Sequence, residues 1–236
     1  MKPWVHLDQS PVPGTDGVMD LWRWGKEYVI RVDGRELMST RVHGSEDALA
    51  DLACDRLKSF EEARILVGGL GMGFTAMAAL KRVGAEGKVV VAELLPAVAR
   101  WNRTICGEAA GHPLADPRAS VFQGDVAEMI RRPPEPWDAI LLDVDNGPEG
   151  LTRASNGWLY SASGLDSAFA ALRPSGVLGV WSAHPDAAFT RRFERAGFEV
   201  EPIEVRAGGK KGGHRHMVWI GVRKAEAPSW SKVKGV

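Results

Sequence analysis

The sequence contains very little cysteine. Cys54 and Cys106 are the only two cysteines in 236 residues, and both fall in segments with a helical pattern rather than in a metal-ligand spacing. Two thiols are too few for the disulfide framework of a small secreted protein. We therefore expect two reduced, buried thiols and a cytoplasmic protein.

The sequence also lacks net charge and long hydrophobic runs. Lys plus Arg and Asp plus Glu number 30 each, so no excess charge attracts nucleic acid or an anionic membrane. The segment MKPWVHLDQSPVPG has no apolar signal-peptide core, and no apolar run approaches the ~18 residues of a membrane span. These absences favour a small-molecule partner and argue against both nucleic acid and membrane.

Three unequal parts are predicted along the chain. Residues 1–60 form an N-terminal β-hairpin segment with a linking helix, residues 61–224 a Rossmann-like domain, and residues 225–236 a loose tail. Within the first part, residues 1–18 are rich in proline and glycine and are expected to wrap the surface. Strands are predicted over Met19–Met38, with a tight turn at Asp33-Gly34. Ser45 is predicted to cap a helix that runs to about Ser59.

Strands and helices alternate from residue 64 onward. The predicted strands are 64–67, 88–92, 119–123, 137–142, 176–181, 198–205 and 215–223. The predicted helices are 74–82, 95–105, 125–131, 161–172 and 185–195. Five β/α units followed by two strands with no helix between them indicate a mostly parallel sheet with an antiparallel C-terminal hairpin. This α/β order is typical of a Rossmann-like class I methyltransferase sheet rather than of a dehydrogenase.

The most informative stretch is ILVGGLGMGFTAMAAL, residues 65–80. An apolar strand ends in a glycine cluster, and a helix of small residues begins near Phe74. Glycine permits a positive φ and a close approach of the backbone to a ligand, which the N–H groups of the following helix then face. Gly69, Gly71 and Gly73 are therefore candidate cofactor-binding residues.

Acidic residues follow the next three predicted strands. Glu93 comes roughly 20 residues after the glycines, where an acidic side chain can bind both hydroxyls of a ribose. Asp125 can accept a hydrogen bond from an adenine amine as well as cap the next helix, and Val126 would lie against the ring. Asp143 follows the fourth strand. Because ligands of open α/β sheets bind at the carboxyl ends of the strands, these positions predict a nucleoside site.

Asp143 is also the best-placed catalytic candidate. Asp145, two residues later, is a weaker candidate that also suits a turn, and His184, just after the fifth strand, is a second candidate base. A structural alternative for Asp143 is a carboxylate stabilised by the following backbone N–H groups. The near-consecutive Asp143, Asp145 and Asn146 do not converge easily on a Mg²⁺ ion, so no metal site is predicted.

The order GGLGMG, AELLP, DPRASVFQGDVAEMI and WDAILLDVDNGPEG resembles the spermidine synthase family, the polyamine aminopropyltransferases, and its class I methyltransferase-like relatives. The resemblance covers Leu21 to Arg223. It implies S-adenosylmethionine or its decarboxylated form as the donor and a small acceptor, an amine, as the partner, and it leaves a homodimer open. It also implies that the glycine loop holds the sulfonium side chain, Glu93 the ribose and Asp125 the adenine. Asp143 then activates or orients the attacking amine.

The sequence departs from the family pattern in three places, one of which is the loop after Asp143, where the family's D-S-S-D-P becomes D-V-D-N-G-P. The family loop G-G-G-D-G-G carries an aspartate for the amine of the decarboxylated donor, and Gly71 occupies that place here. The family's D-G-x-x-Q and D-E-x-x-Y-x-E segments lose their glutamine, tyrosine and second glutamate on a gapless comparison. Without these acceptors in the site, the positive charges of a bound polyamine would be poorly compensated. Methyl transfer is therefore slightly favoured, with Arg41 and His43 as candidates for the donor carboxylate. Aminopropyl transfer is the alternative, and a non-catalytic nucleoside-binding relative is the second alternative.

Overall fold

A computed structural model describes residues 3–12, 16–144, 147–148, 154–208 and 212–224. They form a small antiparallel sheet and a large mixed sheet. The predicted C-terminal tail, residues 225–236, lies outside the described residues. None of the helices in the described part of the chain is long and apolar enough to cross a membrane.

The small sheet has four strands in the order β1-β2-β3-β4. They are β1 (Val5–Pro11), β2 (Val18–Trp24), β3 (Glu27–Val32) and β4 (Arg35–Ser39). Asp33 and Gly34 have φ values of 49° and 78°, as a tight hairpin turn requires, so this predicted turn is confirmed. The prediction for residues 1–18 did not include a strand, and β1 in this segment pairs with β2. A pairing with a later strand leaves little trace in a segment rich in turn residues.

A single helix, α1 (Gly44–Cys54), connects the two sheets. It ends about five residues before the predicted end, and its N-cap is His43, without a side-chain cap. Ser45 was therefore wrongly predicted as the N-cap. The backbone N–H of Gly44 donates to the carbonyl of Ala207, so a contact with a distant segment sets where the helix begins.

The large sheet and its helices follow the predicted alternation closely. The strands are β5 (Arg64–Gly68), β6 (Lys88–Glu93), β7 (Ala119–Gln123), β8 (Trp137–Leu142), β9 (Leu172–Ser182), β10 (Phe198–Arg206) and β11 (Arg215–Arg223). The α-helices are α2 (Phe74–Arg82), α3 (Pro96–Thr104), α4 (Val126–Arg131), α5 (Ala162–Ala171) and α6 (Ala187–Arg195). Short 3-10 turns lie at Gly107–Ala110, Pro113–Ala115 and Ala154–Trp158. Both cysteines are buried and free, although Cys106 follows α3 instead of lying within a helix.

The strand order of the large sheet is β10-β11-β9-β8-β5-β6-β7. Strands β5 to β9 pair in parallel, and β11 runs antiparallel to both β9 and β10. The predicted fold class, a mostly parallel Rossmann-like sheet with an antiparallel C-terminal hairpin, is confirmed. The strand order reverses between β5 and β8, since β6 and β7 lie on one side of β5 and β8 and β9 on the other. Such a switch point opens a ligand crevice at the carboxyl ends of the strands.

Two apolar layers cover the faces of the large sheet. One layer joins α1, α2 and α3 to the sheet and extends to the small sheet through Met19, Leu21 and Ile30. The other layer packs α4, α5 and α6 on the opposite face, around Trp137, Phe189 and Trp219. Because both faces are covered, strands such as Ile65–Val67 are wholly buried and apolar, as is typical of parallel sheets.

Polar contacts also hold the small sheet against the large one. Asp8 Oδ2 in β1 accepts hydrogen bonds from the indole N–H of Trp101 and the guanidinium of Arg100, both at 2.7 Å. These bonds, with that of Trp101 the strongest, lower the pKa of Asp8 to about 2. Tyr28 in β3 donates its hydroxyl hydrogen to Glu108 at 2.6 Å.

We expect Asp8→Ala to lower the free energy of unfolding at pH 7 by about 1 kcal/mol, since the Asp8 side chain is 36% exposed and water screens its ion pair. The folded-state pKa is depressed, so this contribution is complete above the unfolded value of ~3.9 and is lost as the pH falls through about 2. Denaturant unfolding at pH 7 and pH 3 measures both effects. Glu36→Ala, which removes an exposed pair with Arg41, is the control and should change little. Equal effects of both substitutions would contradict the anchoring role of Asp8.

Candidate active site

The glycine loop between β5 and α2 adopts the conformation that its sequence predicts. Gly69, Gly71 and Gly73 have φ values of 86°, 53° and 92°. A Cβ atom at Gly69 would overlap the backbone oxygen of Asp143, and one at Gly73 would lie 2.8 Å from Pro113. Glycine is therefore required at positions 69 and 73 for both conformation and space.

Side chains and strands outside the loop hold it in place. The N–H of Gly69 donates to the carbonyl of Ala92 at 2.9 Å, which ties the loop to β6. The side-chain amide of Asn102, on α3, donates to the carbonyl of Gly71 at 2.9 Å. The cap of α2 is Gly73, which has no side chain to cover the start of the helix. These hydrogen bonds thus fix the backbone of the loop at the N-terminus of α2.

Glu93, the last residue of β6, lies directly against this loop. Its side chain is buried, with Oε2 accepting from the N–H of Leu70 at 2.9 Å and Oε1 from the N–H of Leu95 at 2.7 Å. Burial raises the pKa of Glu93, while these backbone hydrogen bonds oppose the rise. Each carboxylate oxygen has a second lone pair, so Glu93 can brace the loop and still accept from a ribose hydroxyl.

Asp125 and Val126 lie at the neighbouring strand end. Asp125 caps α4, and its Oδ1 accepts from the N–H of Ala127 at 2.8 Å, so the predicted capping role is observed. Val126 is buried, and a Cβ atom built on Gly68 would lie 3.0 Å from its side chain. The N–H of Gly124 donates to the carbonyl of Glu93. The adenine-side candidates therefore stand next to the base of the glycine loop.

Asp143 follows β8 directly and reaches the start of α2. Its N–H donates to the carbonyl of Gly68 at 2.9 Å, and its Oδ2 accepts from the hydroxyl of Thr75 at 2.7 Å. Burial raises the pKa of Asp143 to about 6, against the lowering effect of the Thr75 hydrogen bond. A carboxyl group that titrates near neutral pH is suited to accepting and releasing a proton.

A second carboxyl group, Glu46 on α1, stands in the electrostatic field of Asp143. Burial, followed by the negative charge of Asp143, raises the pKa of Glu46 to about 7. Ser45 donates its hydroxyl hydrogen to Glu46 Oε2 at 2.6 Å. We call Glu46 and Asp143 the acceptor pair. From the sequence, Glu46 is only a favourable acid in the first turn of a helix, because nothing in its neighbourhood reports a partner on a distant strand.

The remaining candidates have other surroundings. His184 is exposed just beyond β9, and its backbone bonds to the hydroxyl of Ser182. Arg41 Nη2 donates to both carboxylate oxygens of Glu36. The ring of His43 stacks on that of Phe74, with centroids 4.0 Å apart. Asp145 lies outside the described residues. Among the residues that are described, no group of three or more His, Cys, Asp or Glu side chains could hold a metal ion.

Comparison with known proteins gives a match in fold alone. No protein-family model and no curated protein sequence matches the chain. The spermidine synthase of Thermotoga maritima superposes with a TM-score of 0.73 at 16% identity, over 94% of this chain and 73% of that one. A spermidine synthase in complex with the transition-state analogue AdoDATO gives a TM-score of 0.72 at 16% identity, with the same coverage.

This chain has the spermidine synthase fold. The structural match extends over the small sheet as well as the large one, since it covers 94% of the chain. The resemblance inferred from the motifs is thereby confirmed for the fold, at an identity too low to transfer residue roles. Within this spermidine synthase fold, the glycine loop, Glu93, Asp125 and Asp143 occupy the crevice where α/β sheets bind ligands.

Proposed function

We propose that this protein is a transferase that uses a sulfonium donor of the S-adenosylmethionine class to alkylate an amine. The observation that carries the proposal is the acceptor pair, two carboxyl groups that share one electrostatic field beside a glycine loop. A sulfonium carbon is already electrophilic, so the protein has to hold the nucleophile in line with the C–S bond and keep it unprotonated. The described residues supply groups for both tasks.

The acceptor pair suits an ammonium group that must lose a proton. Two carboxylates can bind the cation, and a carboxylate with a pKa near neutrality can then take its proton. The pKa values of about 6 for Asp143 and about 7 for Glu46 lie in that range. Asp143 is the candidate base, and Thr75 orients its carboxylate through the 2.7 Å hydrogen bond.

Aminopropyl transfer is better supported than methyl transfer, which the sequence slightly favoured. The two solved structures compared above are both named spermidine synthases. In addition, Glu46 supplies an acidic group for a cationic acceptor in the region where the gapless comparison found the family's acceptors missing. We therefore propose a diamine or similar polyamine as the acceptor, with decarboxylated S-adenosylmethionine as the donor.

The proposal is tested by calorimetry and product analysis on the whole chain. Titrations with S-adenosylmethionine, its decarboxylated form and methylthioadenosine measure donor binding. Incubation of the decarboxylated donor with putrescine should then release methylthioadenosine and an aminopropylated amine. Methylated amine from S-adenosylmethionine would support the methyl-transfer reading instead. Binding of the nucleosides without transfer to any amine would favour the non-catalytic alternative.

Gly71 offers a direct test of donor selection. Its φ of 53° is one that aspartate and asparagine tolerate better than other side chains, and an added Cβ atom would meet only Met38 Sδ, at 3.5 Å. We expect Gly71→Asp to raise the affinity for the decarboxylated donor about 10-fold relative to S-adenosylmethionine, since it adds a carboxylate for the donor amine. Gly71→Asn has the same size without the charge and should show no such preference. Equal effects of both substitutions would place the donor amine away from Gly71.

A further inference from the structure

A hydrogen-bonded chain leads from β11 to the acceptor pair. His216 Nδ1 lies 3.0 Å from the hydroxyl oxygen of Ser45, and that hydroxyl donates to Glu46 Oε2 at 2.6 Å. Ser45 is fully buried and His216 is half-buried. Three side chains from two distant segments are thus connected in a line that ends on Glu46.

The single hydroxyl hydrogen of Ser45 determines which of these three side chains donate and which accept. Ser45 has one hydroxyl hydrogen, which it can donate either to Glu46 or to an unprotonated His216 Nδ1. When Glu46 is ionised, the hydrogen lies on the Glu46 side, and Ser45 Oγ accepts from His216 Nδ1–H. The ring of His216 is fixed edge-on against Trp181, with centroids 4.8 Å apart and planes at 75°. The packing of His216 therefore holds Nδ1 toward the hydroxyl of Ser45.

We propose that His216 is a positioning residue of the acceptor site, which directs the Ser45 hydroxyl hydrogen onto Glu46 and so favours its ionised form. This inference rests on the proposed function and extends it to a residue outside the glycine loop and the strand ends. An ionised Glu46 binds a cationic amine and can take its proton, whereas a protonated one does neither.

The surroundings of Glu46 oppose its ionisation, and the Ser45 hydrogen bond counteracts them. Burial, then the charge of Asp143 on the neighbouring strand end and that of Asp47 on α1, raise the pKa of Glu46, whereas the Ser45 hydrogen bond lowers it. Burial lowers the pKa of His216, and the nearby His214 and His184 lower it further. A neutral His216 has a single N–H, which lies on Nδ1 when Ser45 donates to Glu46, because Ser45 Oγ then accepts from the ring.

Removing the hydrogen bonds between His216, Ser45 and Glu46 should make Glu46 harder to ionise. Carbon NMR of labelled carboxyl groups follows the titration of Glu46, which is assigned by its loss in Glu46→Gln. In Ser45→Ala and His216→Phe we expect the pKa of Glu46 to rise by about one unit, as expected for the loss of one hydrogen bond to a charged group. His216→Asn retains an N–H donor close to the Nδ1 position and should keep the wild-type value.

His214→Asn is the matched control. It removes the exposed histidine two residues away and leaves the contact with Ser45 intact, so the titration of Glu46 should not change. A Glu46 titration that is the same in wild type, Ser45→Ala and His216→Phe would overturn the proposal. If His216→Phe does not fold, Ser45→Ala still tests the expected rise of the Glu46 pKa, and His216→Asn still tests the expected wild-type value.

Turnover provides the second readout. With a transferable amine, His216→Phe should raise KM for the amine, leave donor affinity unchanged and move the acid limb of the pH profile to higher pH, and His216→Asn should restore all three. The NMR titration needs neither donor nor amine, so it can fail or succeed independently of the proposed function. A shifted titration without transfer to any amine would contradict the transferase while leaving the His216–Ser45–Glu46 coupling in place.

Discussion

Asp143→Asn is expected to lower turnover with the amine acceptor by about 10²–10⁴-fold, the usual contribution of a positioned general base, while donor affinity stays nearly constant. The amide has the size of the carboxylate and can still accept the hydrogen bond from Thr75, so the geometry is preserved while the base is lost. Steady-state kinetics and donor calorimetry on the same preparation measure both quantities.

The stability of this variant has an expected sign as well. Because burial raises the pKa of Asp143 to about 6, the ionised carboxylate costs folding free energy above that pH. Asp143→Asn should therefore melt at an unchanged or higher temperature at pH 8. Asp138→Asn is the control on the same strand, since Asp138 accepts from the N–H of Arg64 and pairs with Arg173 at the other end. It should melt lower with normal turnover. Full activity of a well-folded Asp143→Asn enzyme would move the base to Glu46, Asp145 or His184.

Glu93→Ala is expected to weaken nucleoside binding by ~1–3 kcal/mol, because it removes charge-assisted hydrogen bonds to the ribose hydroxyls. Methylthioadenosine is the probe, since it carries the ribose and adenine without the sulfonium charge. The exposed acid Glu128, on α4, supplies the control substitution Glu128→Ala, which should leave affinity unchanged.

The brace that Glu93 provides to the loop calls for a further comparison. Glu93 also holds the N–H groups of Leu70 and Leu95, so Glu93→Ala loosens the loop in addition to removing a ligand contact. A 2′-deoxy analogue separates the two effects in a double-mutant cycle. If Glu93 binds the ribose directly, wild type should discriminate against the analogue and Glu93→Ala should not. Equal discrimination by both proteins would assign Glu93 to the loop alone.

Much of the fold could be predicted because its signals are local. Hydrophobic runs of strand length and the turn residues between them reproduced α2 and the parallel strands to within a few residues, except for β9, which begins four residues before its predicted start. The glycines at 69 and 73 were identifiable because their positive φ values exclude other residues. The acids at the strand ends were identifiable because parallel strands carry their carboxyl ends to one edge of the sheet.

The contacts between distant segments could not be predicted in the same way. The partner of β1, the start of α1 at Gly44 and the second role of Glu93 all depend on groups that are remote in the chain. A sequence pattern records which face of an element is apolar, and it contains no distance to another element.

The sequence by itself determined the Rossmann-like alternation, the glycine loop and the acidic strand ends, because backbone conformation and periodicity are encoded within a few residues. Only the tertiary structure decided that Glu46 and Asp143 share one electrostatic field and that Ser45 connects Glu46 to His216. Burial raises both pKa values, and the negative charge of Asp143 raises that of Glu46 further. These effects arise only when distant segments of the chain pack together.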